Sequence, residues 1–414
     1  MTTTEALMLR ILKCALRGED FKEDVQLTTE ELVTLFNRAE EHKVLPLVFD
    51  ASYKGSLFRG KDVALISKAQ KRAVGWVIRQ LTQANESLTL IYDLQQQGYD
   101  PVVMKGMVCR ELYPKPCLRY SVDEDFLVKS EDFADFHRLI LQAGMYADKP
   151  DADLDKEFEL SFHKKESPLY IELHKSPFEQ ESSVFNSWNQ FFSRVYERTV
   201  TVQIQDVKVR TLEPTDHLLF LILHAFKHFL FSGFGIRQVC DIMLFAEAYG
   251  SRIDWKYIEE CCTECRALLF TMAVFQIAEK HLGFDEDKAC FPASWRERQV
   301  DEQPLLDDIL TGGLYGVSEP NRVHSSNITL SAVEHAEQGH QATKGVLRSL
   351  FPPRTYMEQV FPYVKKHPYL LPWAWMQRIA NYLLRTGKEK DTSAIQTLKI
   401  GQERLALMKK YGVV

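Results

Sequence analysis

The spacing of apolar residues changes twice along this chain of 414 residues, and these changes restrict the folds that it can adopt. Up to about residue 98, and again from about residue 213, apolar residues recur every three or four positions, as on one face of a helix. Between residues 99 and 212 the apolar runs are short and rich in β-branched residues. The pattern predicts an α+β fold, with a small mixed β-sheet core flanked by N-terminal and C-terminal helical regions.

The N-terminal helical region contains two clear helix signals. Thr28 and Glu31 are spaced as a capping box, in which each side chain satisfies a backbone N–H group at the start of a helix. A long helix is predicted over about residues 62–97, and Gly98 suits the position that ends it. The apolar stripe of this helix consists of Val74, Val77, Ile78, Leu81, Leu88 and Ile91.

The middle region is predicted to consist mainly of strands. They are expected over residues 102–104, 121–128, 158–164 and 169–174. Residues 199–212 alternate between apolar and polar, with a hairpin turn at Gln205 and Asp206. A short helix is expected over residues 107–113, and a second helix follows Ser130. These elements divide the chain into residues 1–98, 99–212 and 213–414, with a loop rich in Gly, Ser, Asn and His at about 311–340.

The net charge of the chain gives no indication of a nucleic-acid-binding protein. The chain has 51 basic and 57 acidic residues, a net charge of −6. Within residues 341–414, however, 13 basic residues accompany only 4 acidic ones. This part either attracts an anionic partner or consists of solvated helix surfaces, and the second interpretation is favoured. The sequence therefore contains no strong evidence for nucleic acid binding.

The start of the chain and its cysteines predict a cytoplasmic protein. The first twenty residues lack the pattern of a signal peptide, and eight cysteines without an export signal indicate reduced thiols. The most apolar window, residues 217–235, contains three histidines and a lysine, which are costly in lipid. It predicts a buried helix and no membrane partner.

Asp123 and Asp125 are the first candidates for chemistry, because they lie two residues apart in an apolar strand-like segment. Side chains at this spacing point to the same face of a strand. Two neighbouring carboxylates repel each other in a dry site, and a hard divalent cation such as Mg²⁺ relieves the repulsion. A solvated strand edge is the alternative. The metal site is favoured because a buried charge needs a partner.

Lys105 and Gly106 lie where the first predicted strand ends and a helix begins. A helix N-terminus offers free N–H groups, and glycine lets a phosphate approach the backbone. Lys105 adds a positive charge, so this turn is a candidate phosphate site. Arg119 precedes the acidic segment and has two roles open to it, a bidentate phosphate clamp or a salt bridge to a nearby carboxylate.

Glu172 lies on a later predicted strand, where it shares one face with His174. If that strand lies beside the strand with the two aspartates, Glu172 completes a cluster of three carboxylates. If it does not, Glu172 is a solvent-facing strand residue. The sequence leaves both interpretations open.

His224 and His228 lie one helical turn apart, a spacing that suits zinc. The glutamate of a metalloprotease motif is missing between them, and the helix around them is otherwise apolar. They are therefore interpreted as core histidines. One role for them is a hydrogen bond to Asp241, which would hold the helical region against the sheet.

The order of these motifs resembles that of a known family. The motifs are Lys105-Gly106, Leu112-Tyr113-Pro114, Leu118-Arg119, the acidic segment with Asp123 and Asp125, and Glu172-Leu173-His174. In this order they resemble the uncharacterised nucleotidyltransferase family of the polymerase-β superfamily. The stretch from His224 to His228, with Arg237 and Asp241, resembles the helical half of that family. The resemblance extends over about residues 30–385.

The resemblance implies a metal-dependent nucleotidyltransferase, which moves a nucleoside monophosphate from a nucleoside triphosphate to a hydroxyl acceptor. The catalytic and metal-binding residues would be Asp123, Asp125 and Glu172, holding two Mg²⁺ (or Mn²⁺) ions. The nucleotide-binding residues would be Lys105, Gly106 and Arg119. The supporting residues would be His174, His224, His228 and Asp241.

Two functions remain as alternatives. The wider superfamily places Gly-Ser after its first strand, where this chain has Lys105-Gly106-Met107. This difference favours a catalytically silent nucleotide-binding or regulatory protein, whereas the retained carboxylates favour an enzyme. The acceptor of such an enzyme, whether a small molecule, a protein or an RNA, is not indicated by the sequence.

Overall fold

The structure is a computed structural model that describes residues 1–231, 233–298, 300–312, 354–361, 363–386 and 394–414. The described part contains one seven-stranded mixed sheet, with helices before and after it in the chain. This arrangement confirms the predicted α+β fold class. No helix in these ranges is long and apolar enough to cross a membrane. Most of the loop predicted at about 311–340 lies outside the described residues.

The helices before the sheet begin and end at local sequence signals. They are α1 (Thr3–Leu16), α2 (Thr29–Glu41), α3 (Leu45–Ser52) and α4 (Val63–Gln96). The capping box predicted at Thr28 and Glu31 is confirmed, and Thr2 and Glu5 form a second one at α1. Gly98, with a φ of 85°, follows the end of α4 as predicted.

α4 differs from the prediction in the face that it buries. Val74, Ile78 and Leu81 are 46%, 59% and 52% exposed, so the first half of the predicted apolar stripe is not buried. Leu88 and Ile91, in the second half, lie in the core below the sheet as expected. Before Ser87, the buried residues of α4 are Ala69, Ala73, Gln80 and Gln83. Hydrophobic spacing identifies an apolar stripe but does not specify which face of a helix its neighbours cover.

The sheet combines parallel and antiparallel neighbours. Its strands are β1 (Val102–Met104), β2 (Glu124–Leu127), β3 (Tyr146–Ala147), β4 (Glu159–His163), β5 (Tyr170–His174), β6 (Val200–Ile204) and β7 (Val207–Thr211). They are ordered β3-β4-β5-β2-β1-β7-β6 across the sheet. β2 pairs in parallel with β5, and β1 with β7, while the other neighbouring strands are antiparallel.

Most predicted strands are confirmed, with one difference that matters for function. The hairpin of β6 and β7 turns at Gln205, whose φ is 50°. β2 begins at Glu124, not at residue 121, so Asp123 precedes the strand. The reason is that the segment before β2 hydrogen-bonds to side chains of α4 and not to a neighbouring strand. β3 was not predicted, because two residues are too few to show the alternation of a strand.

One face of the central strands belongs to the core. Val103, Phe126, Ile171 and Leu173 pack there against α4 and against α6 (Phe133–Gln142). Two short helices complete this part, α5 (Gly106–Arg110) between β1 and β2, and α7 (Ser183–Trp188) after β5. The other face of β2 and β5 is left for polar side chains.

Helices return after β7. They are α8 (Pro214–Phe231), α9 (Ile236–Tyr249), α10 (Trp255–Glu264), α11 (Leu268–Ile277), α12 (Ala293–Glu297), α13 (Gln303–Gly312), α14 (Arg354–Val360), α15 (Tyr363–Lys366), α16 (Leu371–Thr386) and α17 (Ala394–Lys410). The chain divides into two compact units. The first contains Met1–Ala225 and Gly235–Leu310, and the second contains Phe226–Phe234 and Thr311–Val414. The division into residues 1–98, 99–212 and 213–414 stays a prediction.

Candidate active site

Two parallel strands bring acidic residues together on one face of the sheet. β2 and β5 are neighbours, and Asp125 is in register with Glu172. His174 follows two residues later on β5 and therefore shares the face of Glu172. The ligand atoms of Asp125, Glu172 and His174 all lie within 4.8 Å of one another. These three residues, together with Asp123, are called the acidic bay below.

Asp123 lies at the entrance of β2, in a segment that α4 holds by hydrogen bonds. Gln80 Nε2 donates to the Ser121 carbonyl oxygen over 2.8 Å, and the Ser121 N–H donates to Gln80 Oε1 over the same distance. Gln83 Nε2 donates to the Val122 carbonyl oxygen over 3.3 Å. Neither glutamine could be recognised from the sequence, because a polar residue on a helix carries no signal of burial. They position the backbone that carries the Asp123 side chain.

Lys105 reaches the acidic bay from the turn after β1. Its Nζ lies 3.1 Å from Asp125 Oδ1 and 3.8 Å from Asp123 Oδ2, and 3.1 Å from His224 Nε2. Its backbone φ is 40°, which is unusual for a residue with a side chain, and its N–H donates to His217 Nε2 over 3.1 Å. Burial lowers the pKa of His217 to about 3, so a neutral imidazole accepts this bond. The turn thus aims a positive charge at two carboxylates.

Gly106 follows Lys105 and leaves room for a buried carboxylate. A Cβ atom on Gly106 would lie 1.9 Å from Glu124 Oε2, so a side chain does not fit. The same oxygen accepts the N–H of Met107 over 2.7 Å, at the start of α5. Arg110 donates to Glu124 Oε1 over 3.0 Å. The sequence predicted a candidate phosphate site at this helix start. In the structure, the carboxylate of Glu124 accepts the Met107 N–H there. Glu124 was missed because it lies between the two aspartates on the opposite face of β2.

Arg119 is placed in a buried ion pair, which is the salt-bridge role that the sequence left open. Its Nε and a terminal nitrogen donate to the two carboxylate oxygens of Asp241 over 2.8 and 2.9 Å, and its other nitrogen donates to the Gly106 carbonyl oxygen over 3.0 Å. Its side chain is 1% exposed. Asp241 also accepts bonds from Tyr113 and Arg237. The phosphate-clamp role of Arg119, which the resemblance implies, stays a prediction.

His224 and His228 of α8 belong to different compact units. His224 belongs to the first unit and lies beside Lys105, whereas His228 belongs to the second unit. The partners recorded for Asp241 are two arginines and a tyrosine, so the expected link between the helical region and the sheet is made by Arg119. No local signal in the sequence identifies that partner, because Arg119 and Asp241 are 122 positions apart.

Negative charge is crowded in the acidic bay. Burial, followed by repulsion from Asp125 and Asp123, raises the pKa of Glu172 to about 8. Burial also opposes ionisation of Asp125, but the Lys105 ammonium and His174 outweigh it and hold the pKa of this carboxyl below its usual value. Burial alone would lower the pKa of His174, yet its contact with Asp125 and the charge of Glu159 raise it. A bound cation would relieve this crowding.

The residues of the acidic bay fit a divalent cation. Asp125 is 2% exposed, and its Oδ2 has no hydrogen-bond partner among the described residues. A buried carboxylate oxygen in this state lacks the partner that its burial requires. Glu172 and His174 offer an oxygen and an imidazole nitrogen at the same point. This mixed set suits Mn²⁺ as well as Mg²⁺.

Comparison with known proteins gives one family match. A family model described as uncharacterised nucleotidyltransferase matches residues 29–283, which is more than half of the chain. The matched region contains the acidic bay, Lys105 and Asp241, but it ends before residue 385, to which the motif resemblance extended. No significant match is found among curated proteins or among solved structures.

Proposed function

The chain belongs to the uncharacterised nucleotidyltransferase family, and we propose that it transfers a nucleoside monophosphate from a nucleoside triphosphate to a hydroxyl acceptor. The observation that carries this proposal is the buried Oδ2 of Asp125 beside Glu172 and His174, which has no hydrogen-bond partner within the described ranges. A purely structural cluster of carboxylates would be expected to satisfy all its buried oxygens. Mg²⁺ or Mn²⁺ is the cation that this donor set accepts.

The residues of the site have different tasks in the proposed reaction. Asp125 and Glu172 hold the cation, which when bound neutralises phosphate oxygens and lowers the pKa of a coordinated hydroxyl. Asp123, whose side chain is 21% exposed, lies just before β2 and would face an incoming substrate. Lys105 adds a fixed positive charge for the phosphates. The Arg119 ion pair supports the carbonyl of Gly106 and so holds the turn that carries Lys105.

A catalytically silent nucleotide-binding or regulatory protein is the second candidate. Two contacts favour it. The Lys105 ammonium is already paired with Asp125, and the Met107 N–H at the start of α5 is bonded to Glu124. In this case nucleotide binding would persist without turnover. The family membership is compatible with both candidates, because a shared fold does not by itself establish catalysis.

The test separates binding from turnover. Thermal unfolding of the full chain is measured with ATP, GTP, CTP or UTP, each with and without Mg²⁺ or Mn²⁺. A metal-dependent rise of the melting temperature with at least one nucleotide supports both candidates, since a ligand that binds the folded state stabilises it. Pyrophosphate release that disappears in Asp125→Asn then identifies the enzyme. Metal-dependent binding without pyrophosphate release, over a panel of hydroxyl acceptors, identifies the silent protein.

A further inference from the structure

The acidic bay contains a positive charge, the Lys105 ammonium group, next to Asp125, whose Oδ2 has no hydrogen-bond partner in the part of the chain that the structure describes. We propose that Lys105 supplies one of the two positive centres of this site as a fixed ammonium group. The bay then binds a single divalent cation, through Asp125, Glu172 and His174. This inference rests on the proposed function, because it concerns the cation of that same site.

Contacts with two aspartates and two histidines hold Lys105 in place. Its side chain is 12% exposed, and Nζ lies 3.1 Å from Asp125 Oδ1 and 3.8 Å from Asp123 Oδ2. His224 Nε2 lies 3.1 Å from the same nitrogen, and His217 holds the backbone N–H of Lys105. The ammonium group therefore lies between the two aspartates, where a cation shared by both carboxylates would otherwise lie.

The two carboxylate oxygens of Asp125 have different surroundings. Oδ1 faces Lys105 at 3.1 Å, and Oδ2 is buried with no hydrogen-bond partner in the described part of the chain. Glu172 is in register with Asp125 on the neighbouring strand, away from β1, which carries Lys105 at its end. A cation bound by Oδ2 and Glu172 would share Asp125 with the ammonium group. With a cation bound, Asp125 would have the Lys105 ammonium group at one oxygen and the metal ion at the other.

His174 is oriented as a metal ligand. Its Nε2 lies 3.3 Å from Asp125 Oδ1 and 3.8 Å from Glu172 Oε2, so this nitrogen faces the acidic bay. Its other nitrogen, Nδ1, lies 3.4 Å from Glu159 Oε2. A carboxylate on the far nitrogen of a histidine holds the ring and leaves the near nitrogen to ligate a metal. This contact distinguishes His174 from a core histidine.

The charges balance with one divalent ion. Asp123, Asp125 and Glu172 carry three negative charges when all are ionised. One divalent cation and one ammonium group carry three positive charges, whereas two divalent cations together with Lys105 would carry five. A second divalent ion between the aspartates would also lie close to the Lys105 ammonium, and like charges at such distances repel strongly in a buried site.

The experiment counts bound metal ions. The metal-free full-length chain is titrated with MnCl₂, and free Mn²⁺ is followed by electron paramagnetic resonance. The expected result is one Mn²⁺ per wild-type chain and two per Lys105→Met chain, since the neutral side chain of similar length vacates the place between the aspartates. Lys115→Met is the matched control. It removes an exposed lysine that pairs with Asp50 at 2.7 Å, and it should keep one Mn²⁺.

The outcomes separate the inference from the proposed function. Two Mn²⁺ ions on the wild-type chain, or the same single ion on wild type and Lys105→Met, would overturn the inference and leave the proposed function standing. No bound Mn²⁺ on the wild type or on any variant would overturn the metal-dependent function itself.

A second measurement tests the proposed ligand set, and the ion count of the wild-type chain remains decisive if Lys105→Met does not fold. Pulsed electron paramagnetic resonance of the wild-type complex should detect coupling between Mn²⁺ and an imidazole nitrogen. The coupling should disappear in His174→Gln and persist in His163→Gln, which alters an exposed histidine of β4 that contacts Asp148. A wild-type complex without nitrogen coupling would exclude His174 as a ligand.

Discussion

Buried charged residues in this chain are paired, and the pairing determines what each can do. Asp241 is 3% exposed and accepts bonds from Arg119, Arg237 and Tyr113. Such a carboxylate is held by its donors and has little freedom to bind a substrate. Asp125 differs, because one of its oxygens has a partner and the other has none among the described residues. This difference separates a structural carboxylate from a candidate ligand.

Removal of the Asp241 charge should destabilise the protein strongly. Asp241→Asn leaves the guanidinium groups of Arg119 and Arg237 buried without a counter-charge, at a cost of about 3–5 kcal/mol in the free energy of unfolding. Urea denaturation measures this loss. Asp135→Asn is the matched control, because it breaks an exposed pair with Arg138 and should change stability little. Equal effects of the two variants would contradict the structural role of Asp241.

His42 should make the protein sensitive to mild acid. Burial lowers its pKa from 6.5 to about 4, so the folded state binds a proton less readily than the unfolded chain. The stabilisation is complete above pH 6.5 and is lost as the pH falls toward 4, by roughly 3 kcal/mol. Unfolding free energies over this range should therefore decline less in His42→Gln than in wild type.

The control for this pH dependence is His367→Gln, which changes an exposed histidine. Its pH profile should follow that of the wild type. A His42→Gln profile with the wild-type slope would show that other groups cause the acid sensitivity.

The turn at Lys105 and Gly106 has an unusual backbone conformation, which directs the Lys105 side chain toward the acidic bay. Lys105 and Gly106 have φ values of 40° and 37°, and Glu124 fills the space beside Gly106. A positive φ at a residue with a side chain costs of the order of 1–3 kcal/mol, which the surrounding contacts must offset. These contacts include the bond from Arg119 to the Gly106 carbonyl oxygen. The conformation of this turn therefore depends on tertiary contacts, as the arrangement of the acidic bay does.

Gly106→Ala tests this turn, and Gly75→Ala, in α4, is its control. Gly106→Ala forces a Cβ atom to 1.9 Å from Glu124 Oε2 and should cost more than about 2 kcal/mol in unfolding free energy. Gly75→Ala changes an exposed position within α4 that has no neighbouring atom within 4 Å, and it should stabilise the chain by about 1 kcal/mol. Chemical denaturation of both variants checks the two signs. A neutral Gly106→Ala variant would show that the turn tolerates another conformation.

At the scale of the whole molecule, the residues of the acidic bay all lie in one of the two compact units. Asp123, Asp125, Glu172 and His174, together with Lys105, belong to the first unit. The second unit contains the last part of α8 and the helices after residue 311. Within that second unit, Arg404 donates to the carbonyl oxygens of Phe229 and Phe231.

A chain that ends at Gly312 should therefore keep the metal site. Its Mn²⁺ dissociation constant should stay within about twofold of the full chain, because every residue of the acidic bay belongs to the first unit. Its melting temperature should fall, since the end of α8 loses the bonds from Arg404. Calorimetric titration and thermal unfolding check the two expectations. Loss of Mn²⁺ binding in a chain with unchanged circular dichroism would show that the second unit contributes to the site.

The local sequence was sufficient to predict the order of helices and strands and the capping box at Thr28. It also placed acids on what became β2 and β5. These features depend on spacing and on contacts within a few residues, so they can be seen without the fold. The prediction failed for the first half of α4, where Val74 and Ile78 are exposed, because periodicity identifies an apolar face but not the element that covers it.

The partners of the site residues depended on tertiary contacts. Asp125 meets Glu172 because two strands align in parallel and in register, and Arg119 meets Asp241 across 122 positions. The entry of Lys105 into the acidic bay depends on a strained turn that His217 helps to hold. Nothing local to these residues specifies such partners, since packing of the whole chain selects them. The types of residue were therefore readable from the sequence, whereas their division into ligands and structural ion pairs came from the fold.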